Sequence, residues 1–150
     1  MKSLKALALT GLLLSAAAAH AEFLDRVELN SALVSGFVSH HINTKHDYNE
    51  DNYGVGYRFG KTDVIVGYYK NSNERDSVYA AYEARWHLTK NLQAGFIAGG
   101  VTGYKYDVVP FVLPELVLQV RGIELAVTYA PRVTGLTPAL VAGQVRWSWR

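Results

Sequence analysis

At 150 residues the chain has the length of a single domain. Its composition is 49% apolar and 12% aromatic, with 10 Tyr, 13 Gly and only 4 Pro, which excludes a helical membrane bundle and a disordered tail and points to an all-β fold. A formal charge of +2 gives no reason to expect nucleic acid as a partner, and with no cysteine the fold has no covalent brace.

Residues 1–21 read as a signal peptide. Lys2 and Lys5 form the positive n-region, Ala6 to Ala19 the apolar run, and Ala19-His20-Ala21 the small-x-small cleavage site. Cleavage there leaves residues 22–150 as one domain. It removes two of the 15 basic residues and none of the 13 acidic ones, so the mature chain is close to neutral. Beyond residue 21 no stretch approaches the roughly 18 apolar residues of a spanning helix. Val108 to Val120 comes nearest and is interrupted by Pro110, Pro114 and Glu115.

Alternation is the signal that remains. Tyr53, Val55, Tyr57 and Phe59 face away from Asn52, Gly54, Gly56 and Arg58. Val78, Ala80, Tyr82, Ala84 and Trp86 face away from Tyr79, Ala81, Glu83 and Arg85, and Val145, Trp147 and Trp149 oppose Gln144, Arg146 and Ser148. Aromatic residues on one face with charges on the other suit lipid outside and a polar interior. Eight strands follow in chain order, over 31–42, 51–60, 63–71, 77–88, 92–104, 109–120, 123–130 and 137–149. Their connections alternate between tight turns (Gly60-Lys61-Thr62, Thr89-Lys90-Asn91, Arg121-Gly122) and longer polar loops.

The expected fold is therefore all-β, an eight-stranded antiparallel transmembrane β-barrel in the cell outer membrane, monomeric, with its N-terminus in the periplasm. A soluble barrel or sandwich of the lipocalin kind also alternates. The signal peptide, the Trp147/Trp149 strand and the lack of cysteine weigh against it. Eight strands enclose an interior just wide enough for side chains or one small ligand, which excludes a porin. Arg58, Glu83, Arg85, Gln93, Glu115, Gln119, Glu124, Gln144 and Arg146 would meet there and must pair, mostly toward the periplasmic half, as a floor beneath any cavity.

In the first strand, if glycines face the narrow interior, Gly36, Val38 and His40 point inward while Phe37, Ser39 and His41 point outward. Taken alone, a His-His pair at a strand end is a polar rim. Ser72, within Asn71-Ser72-Asn73-Glu74-Arg75-Asp76, is ordinary turn chemistry. No carboxylate or cysteine spacing completes a metal site from His40, His41 and His46, so neither metal nor cofactor is expected.

Several segments together resemble one family: Ser39-His40-His41, Tyr48-Asn49-Glu50, Gly54-Val55-Gly56, Lys70-Asn71-Ser72, Ala98-Gly99-Gly100-Val101-Thr102, Pro110-Phe111-Val112-Leu113-Pro114 and Thr128-Tyr129-Ala130-Pro131. From about residue 38 to 131 the chain resembles the outer-membrane lipid A palmitoyltransferases (PagP-like). The resemblance implies transfer of a fatty acyl chain from a phospholipid donor to lipid A, with His40 and Ser72 as catalytic residues. Asn71 would be an orienting amide where the family has aspartate. It also implies that Pro110, Pro114 and Pro131 mark a lateral gate between strands 6 and 7, whereas Ser35 and Asn52 replace the prolines of a second gate near strands 1 and 2. Glu83 stands near the position that limits acyl length in the family, which implies a short bound chain or no cavity. The alternative function is a non-catalytic barrel that stabilises the membrane or presents loops 43–50 and 71–76 to a partner. Apolar interior surface near the outer rim would favour the enzyme.

Overall fold

A computed structural model describes residues 25–134 and 138–149. The predicted signal peptide and the predicted start of strand 8 at residue 137 lie outside the described residues. Eight strands form a closed antiparallel barrel in sequence order: β1 (Ser31–Ile42), β2 (Asp51–Phe59), β3 (Val64–Lys70), β4 (Asp76–His87), β5 (Leu92–Val101), β6 (Val109–Val120), β7 (Ile123–Ala130) and β8 (Ala139–Trp149). The expected strands agree with these to within a few residues. β5 stops three residues early because Gly103 takes φ +85°, a left-handed conformation that cannot continue a strand.

The connections at one end are short, over residues 60–63, 88–91 and 121–122. In the last, Arg121 and Gly122 both have positive φ (50° and 84°), as a two-residue hairpin turn matched to strand twist demands. The other end carries the longer loops 43–50, 71–75, 102–108 and 131–138. These are called below the short-turn end and the long-loop end.

Strand alternation sorts the side chains as the sequence suggests. Outside lie Leu33, Val55, Val112, Leu116, Leu125, Val127, Val145 and their neighbours, exposed large apolar residues on successive strands. Toward the short-turn end the outer surface is aromatic. Tyr57 meets Phe59 at 4.8 Å and Trp149 at 6.0 Å, Trp147 meets Trp149 at 6.4 Å, and Trp86 meets Phe96 at 6.0 Å. Soluble monomers rarely expose continuous apolar surface beyond a few hundred Å².

The interior is divided along the barrel axis. The half toward the short turns is ionic, while an apolar cluster of Val34, Ile65, Tyr69, Tyr79, Ala81, Ile97 and Val101 lines the interior toward the long loops. Residues 25–30 close the short-turn side. β3 pairs with β4 no further than Val64↔Tyr82, and the edge of β4 beyond it is taken by the N-terminal segment. Here Val27 N–H donates to Arg85 O (2.9 Å) and His87 N–H to Asp25 O (3.0 Å). The segment then leads to β1, with Val27 and Leu29 buried and Asn30 O accepting from the interior Arg58 Nε (2.9 Å).

One expectation is reversed. Along β1 the inward residues are Ala32 and Val34, then Phe37, Ser39 and His41, while Val38 and His40 point outward. The cause is a register shift between Val34 and Phe37, where β1 advances three residues against two of β8 (Val34↔Arg146, Phe37↔Gln144). Such an irregularity exchanges the faces of everything after it. Gly36 permits it, since a Cβ there would lie 2.1 Å from Asn52 O and 2.4 Å from Gly54 N. Gln144 Nε2 donates to Ser35 O (2.9 Å) and Val145 N–H to Ser35 Oγ (3.1 Å), which satisfies groups that the shift takes out of the ladder.

Candidate functional site: an apolar cavity beneath a polar rim

The ionic half of the interior sets the lower limit of the site. Three arginines and three glutamates interlock, all essentially buried: Arg58 with Glu83 (3.2 Å) and Glu124 (2.7 Å), Arg85 with Glu83 (2.6 Å), Glu115 (3.3 Å) and Glu124 (2.8 Å), and Arg146 with Glu115 (3.1 Å) and, closer still, Glu83. The charges balance. Gln93 accepts from Arg85 Nη1 (3.0 Å) and donates to Gln119 Oε1 (2.9 Å), and Arg146 Nε donates to Gln144 Oε1 (2.8 Å). Buried charges survive when each has opposite partners, which is the pairing the sequence demanded; Glu115 Oε1 lies 3.3 Å from Arg85 Nε but makes no hydrogen bond.

Above this network lies a cavity of about 390 Å³. Ile97, Val101, Phe111, Leu113 and Leu140 are among its walls, and Arg146 and Gln144 are the ionic-half groups that reach it. The volume falls within the roughly 300–1,000 Å³ of small-ligand pockets. Glu83 does not line it. Its carboxylate is occupied by Arg146, Arg85 and Arg58, so it bounds the cavity only through Arg146. The expectation that a glutamate here could leave no cavity therefore fails, because the arginines hold that carboxylate in the ionic half. On the wall, the Tyr69 and Tyr104 hydroxyls meet at 3.0 Å. Burial raises the Tyr104 phenol above its ordinary value, with the Tyr69 hydrogen bond only partly opposing, so it remains a neutral hydroxyl. Lys105 is exposed at the mouth, with its ammonium over the Tyr106 ring at 5.7 Å.

The cavity borders an unpaired seam. β6 pairs with the whole of β5, from Leu92↔Leu118 to Val101↔Val109, yet its pairing with β7 runs only from Val120↔Ile123 to Glu115↔Thr128. Residues Val109–Pro114 therefore have no partner in β7, and Pro110, Pro114 and Pro131 lie along that stretch. A proline offers no N–H to a ladder, so prolines in a closed barrel mark where the wall is not sealed. Between β1 and β2 the ladder continues to Val38↔Asp51, and Ser39 N–H donates to Glu50 O (2.8 Å), so that wall is closed.

The residues singled out from sequence all lie at the long-loop end and do not form one hydrogen-bonded group. Asn71 is fully buried and knots its own loop. Its Oδ1 accepts from the N–H groups of Asn73 (2.9 Å) and Arg75 (3.1 Å), while its Nδ2 donates to Ser77 Oγ (3.0 Å) and Gly103 O (2.9 Å). All its capacity is spent on its own loop, on Ser77 of β4 and on Gly103, so none of these bonds reaches a histidine. Ser72 Oγ lies 3.5 Å from Asn52 Oδ1, and the buried Asn52 reaches Ser39 Oγ (3.4 Å) inside the mouth.

His40 lies on the other face of the wall. Its Nδ1 is 3.1 Å from Glu50 Oε1, with side-chain exposures of 77% and 46% for the pair. His41 is buried, stacks on Tyr48 at 4.3 Å and leaves Nδ1 without a partner. The register places His40 beside Val141, and Val141 beside Tyr129, an outward row level with the unpaired seam. Two strand spacings, about 10 Å, separate His40 from β7. Loop 43–50 links the two faces, since Asn49 N–H donates to Ser72 O (3.0 Å).

Sequence reasoning passed over Glu50 as a partner of histidine, although it ends the Tyr48-Asn49-Glu50 tripeptide, because the shift at Gly36 hides which histidine it meets. Among the described residues no group of three or more His, Cys, Asp or Glu is placed to hold a metal ion. Neither a protein-family model nor a curated protein matches the chain.

Proposed function

We propose that the chain is an outer-membrane acyltransferase that moves a fatty acyl chain from a phospholipid to lipid A, within a signal-directed outer-membrane barrel similar to the lipid A palmitoyltransferases. The observation that carries the reading is the apolar cavity of about 390 Å³ beside a β6–β7 seam that lacks its ladder. A lipid tail in the surrounding bilayer can pass sideways through such a seam. The tail leaves water-free surroundings for apolar walls, so entry costs little desolvation. The apolar outer band supports membrane insertion, and its aromatic end supports placing the short turns at the inner interface.

The reaction transfers one ester. The acceptor hydroxyl oxygen attacks the carbonyl carbon of the phospholipid ester while its proton passes to Nε2 of His40. The tetrahedral oxyanion takes a hydrogen bond from Ser72 Oγ in this reading. Its collapse breaks the ester bond to the glycerol oxygen, which takes the proton back from the imidazolium. The products are acylated lipid A and a lysophospholipid, with no oxidant, metal or water consumed. The ionic half forms the end stop and sets a short reach for the bound chain.

Expression in a Gram-negative host lacking its own palmitoyltransferase tests this directly. Wild type should add one acyl mass to lipid A, and His40→Ala and Ser72→Ala should abolish the gain. An unchanged lipid A spectrum from wild type, with the barrel shown to be folded in the outer membrane, would overturn the enzymatic reading in favour of a non-catalytic barrel.

A further inference from the structure

We infer that Glu50 is the positioning carboxylate of the site. It fixes the His40 imidazole so that Nε2 is the free, proton-accepting nitrogen, a task that Asn71 cannot perform. The inference rests on the acyl-transfer reading and deepens it.

An imidazole that takes a proton from a hydroxyl must present an unprotonated nitrogen in a fixed direction. In a neutral ring the tautomer is chosen by whatever the other nitrogen bonds to. A carboxylate on Nδ1–H makes that choice and also stabilises the charge that appears during transfer. Among the described residues, the group at hydrogen-bonding distance from Nδ1 of His40 is the Glu50 carboxylate, at 3.1 Å. The carboxylate is itself held. Glu50 Oε1 also accepts from the backbone N–H of His41 (3.2 Å), and Glu50 O accepts from Ser39 N–H (2.8 Å). Three successive residues of β1 thus grip the last residue of the loop before β2, and only the His40 contact involves a side chain of β1.

The arrangement depends on the register shift at Gly36, which turns His40 outward and so onto the face from which a lipid approaches the seam. It also accounts for Asn71. The amide at that position is committed to four hydrogen bonds within its own loop, to Ser77 and to Gly103, so the carboxylate supporting the histidine has to come from elsewhere, here loop 43–50.

The test uses the full barrel refolded in lipid micelles, with two readouts. In ¹⁵N spectra of the neutral His40 ring, wild type should show Nδ1 protonated and Nε2 unprotonated. Glu50→Ala should give the tautomer mixture of a free imidazole, with barrel circular dichroism unchanged. In turnover assays with phospholipid and lipid A, Glu50→Ala should lower kcat at least tenfold with KM within about twofold, because the residue holds the base and does not bind the acyl chain. Glu50→Asp, a shorter carboxylate, should recover part of that loss. An active wild type with Glu50→Ala at full kcat, or a His40 tautomer indifferent to the substitution, overturns the assignment alone. A folded wild type that transfers no acyl chain overturns the acyl-transfer reading, and this assignment with it, whatever the tautomer shows.

Discussion

The two halves of the barrel interior solve the same packing problem with opposite chemistry. Toward the short turns the space is filled by three arginines and three glutamates that pair with one another in a single network. Toward the long loops it is lined by apolar walls and left partly empty beside a seam where six residues of β6 lack a β7 partner. A barrel needs only one of these solutions to stand. The filled half supplies rigidity through a network that tolerates no missing member, and this permits the other half to keep a hole and an unsealed wall. Substitutions in the first should therefore act on folding, and those in the second on what the barrel holds.

The largest effect is expected in the filled half. Arg85 touches Glu83, Glu115, Glu124 and Gln93, so Arg85→Ala strands buried carboxylates and should cost about 3–5 kcal/mol, read as an early urea midpoint or failure to refold in micelles. A midpoint equal to wild type would mean that the ionic network does not hold the barrel.

Gly36→Ala comes next. The new methyl has backbone atoms 2.1 and 2.4 Å away, so β1 or β2 must move, at a cost of about 1–3 kcal/mol. The register that turns His40 outward should loosen with it, visible as weakened amide protection at Ser39.

Asn71→Asp probes the join between rim and wall. It replaces the Nδ2 donor with an oxygen facing Gly103 O and Ser77 Oγ, and the Ser77 hydroxyl already donates to Thr102 O (2.7 Å). We expect a loss of about 1–3 kcal/mol by urea titration and no gain in turnover, the opposite of what restoring a catalytic carboxylate would give.

The smallest change in stability belongs to the empty half. Ala142→Phe directs a ring into the cavity and should shift stability by about 1 kcal/mol while acyl transfer is lost. Retained transfer in that variant would place the acyl chain elsewhere.

The two halves also differed in how far they could be read beforehand. Strand positions followed from alternation because most outward residues are apolar while inward ones are small or polar. The ionic partners followed because charges at inward positions of so narrow a barrel have nowhere else to go. The seam could be read as well, since proline announces a missing donor. The orientation of the histidines could not. Gly36 suits a crowded inward position and a register shift equally well, and only the neighbouring backbone at Asn52 and Gly54 decides between them. Asn71 gave no sign of being a knot, because its four partners lie in its own loop and at Gly103 and Ser77. The Glu50–His40 pair depended on the same shift and was hidden with it.

The central claim is that a lipid tail occupies the interior beside the β6–β7 seam, and methyl-to-acyl nuclear Overhauser contacts in otherwise deuterated barrel test it most directly. Ile97 and Val101 face the cavity, whereas Leu116 and Leu118 are exposed on the outer surface and do not line it. The account predicts contacts from both pairs to acyl methylenes of a protonated phospholipid, with those of Ile97 and Val101 lost in Ala142→Phe and those of Leu116 and Leu118 retained. Contacts from the outward methyls alone, in a wild-type barrel that is fully folded, would contradict it.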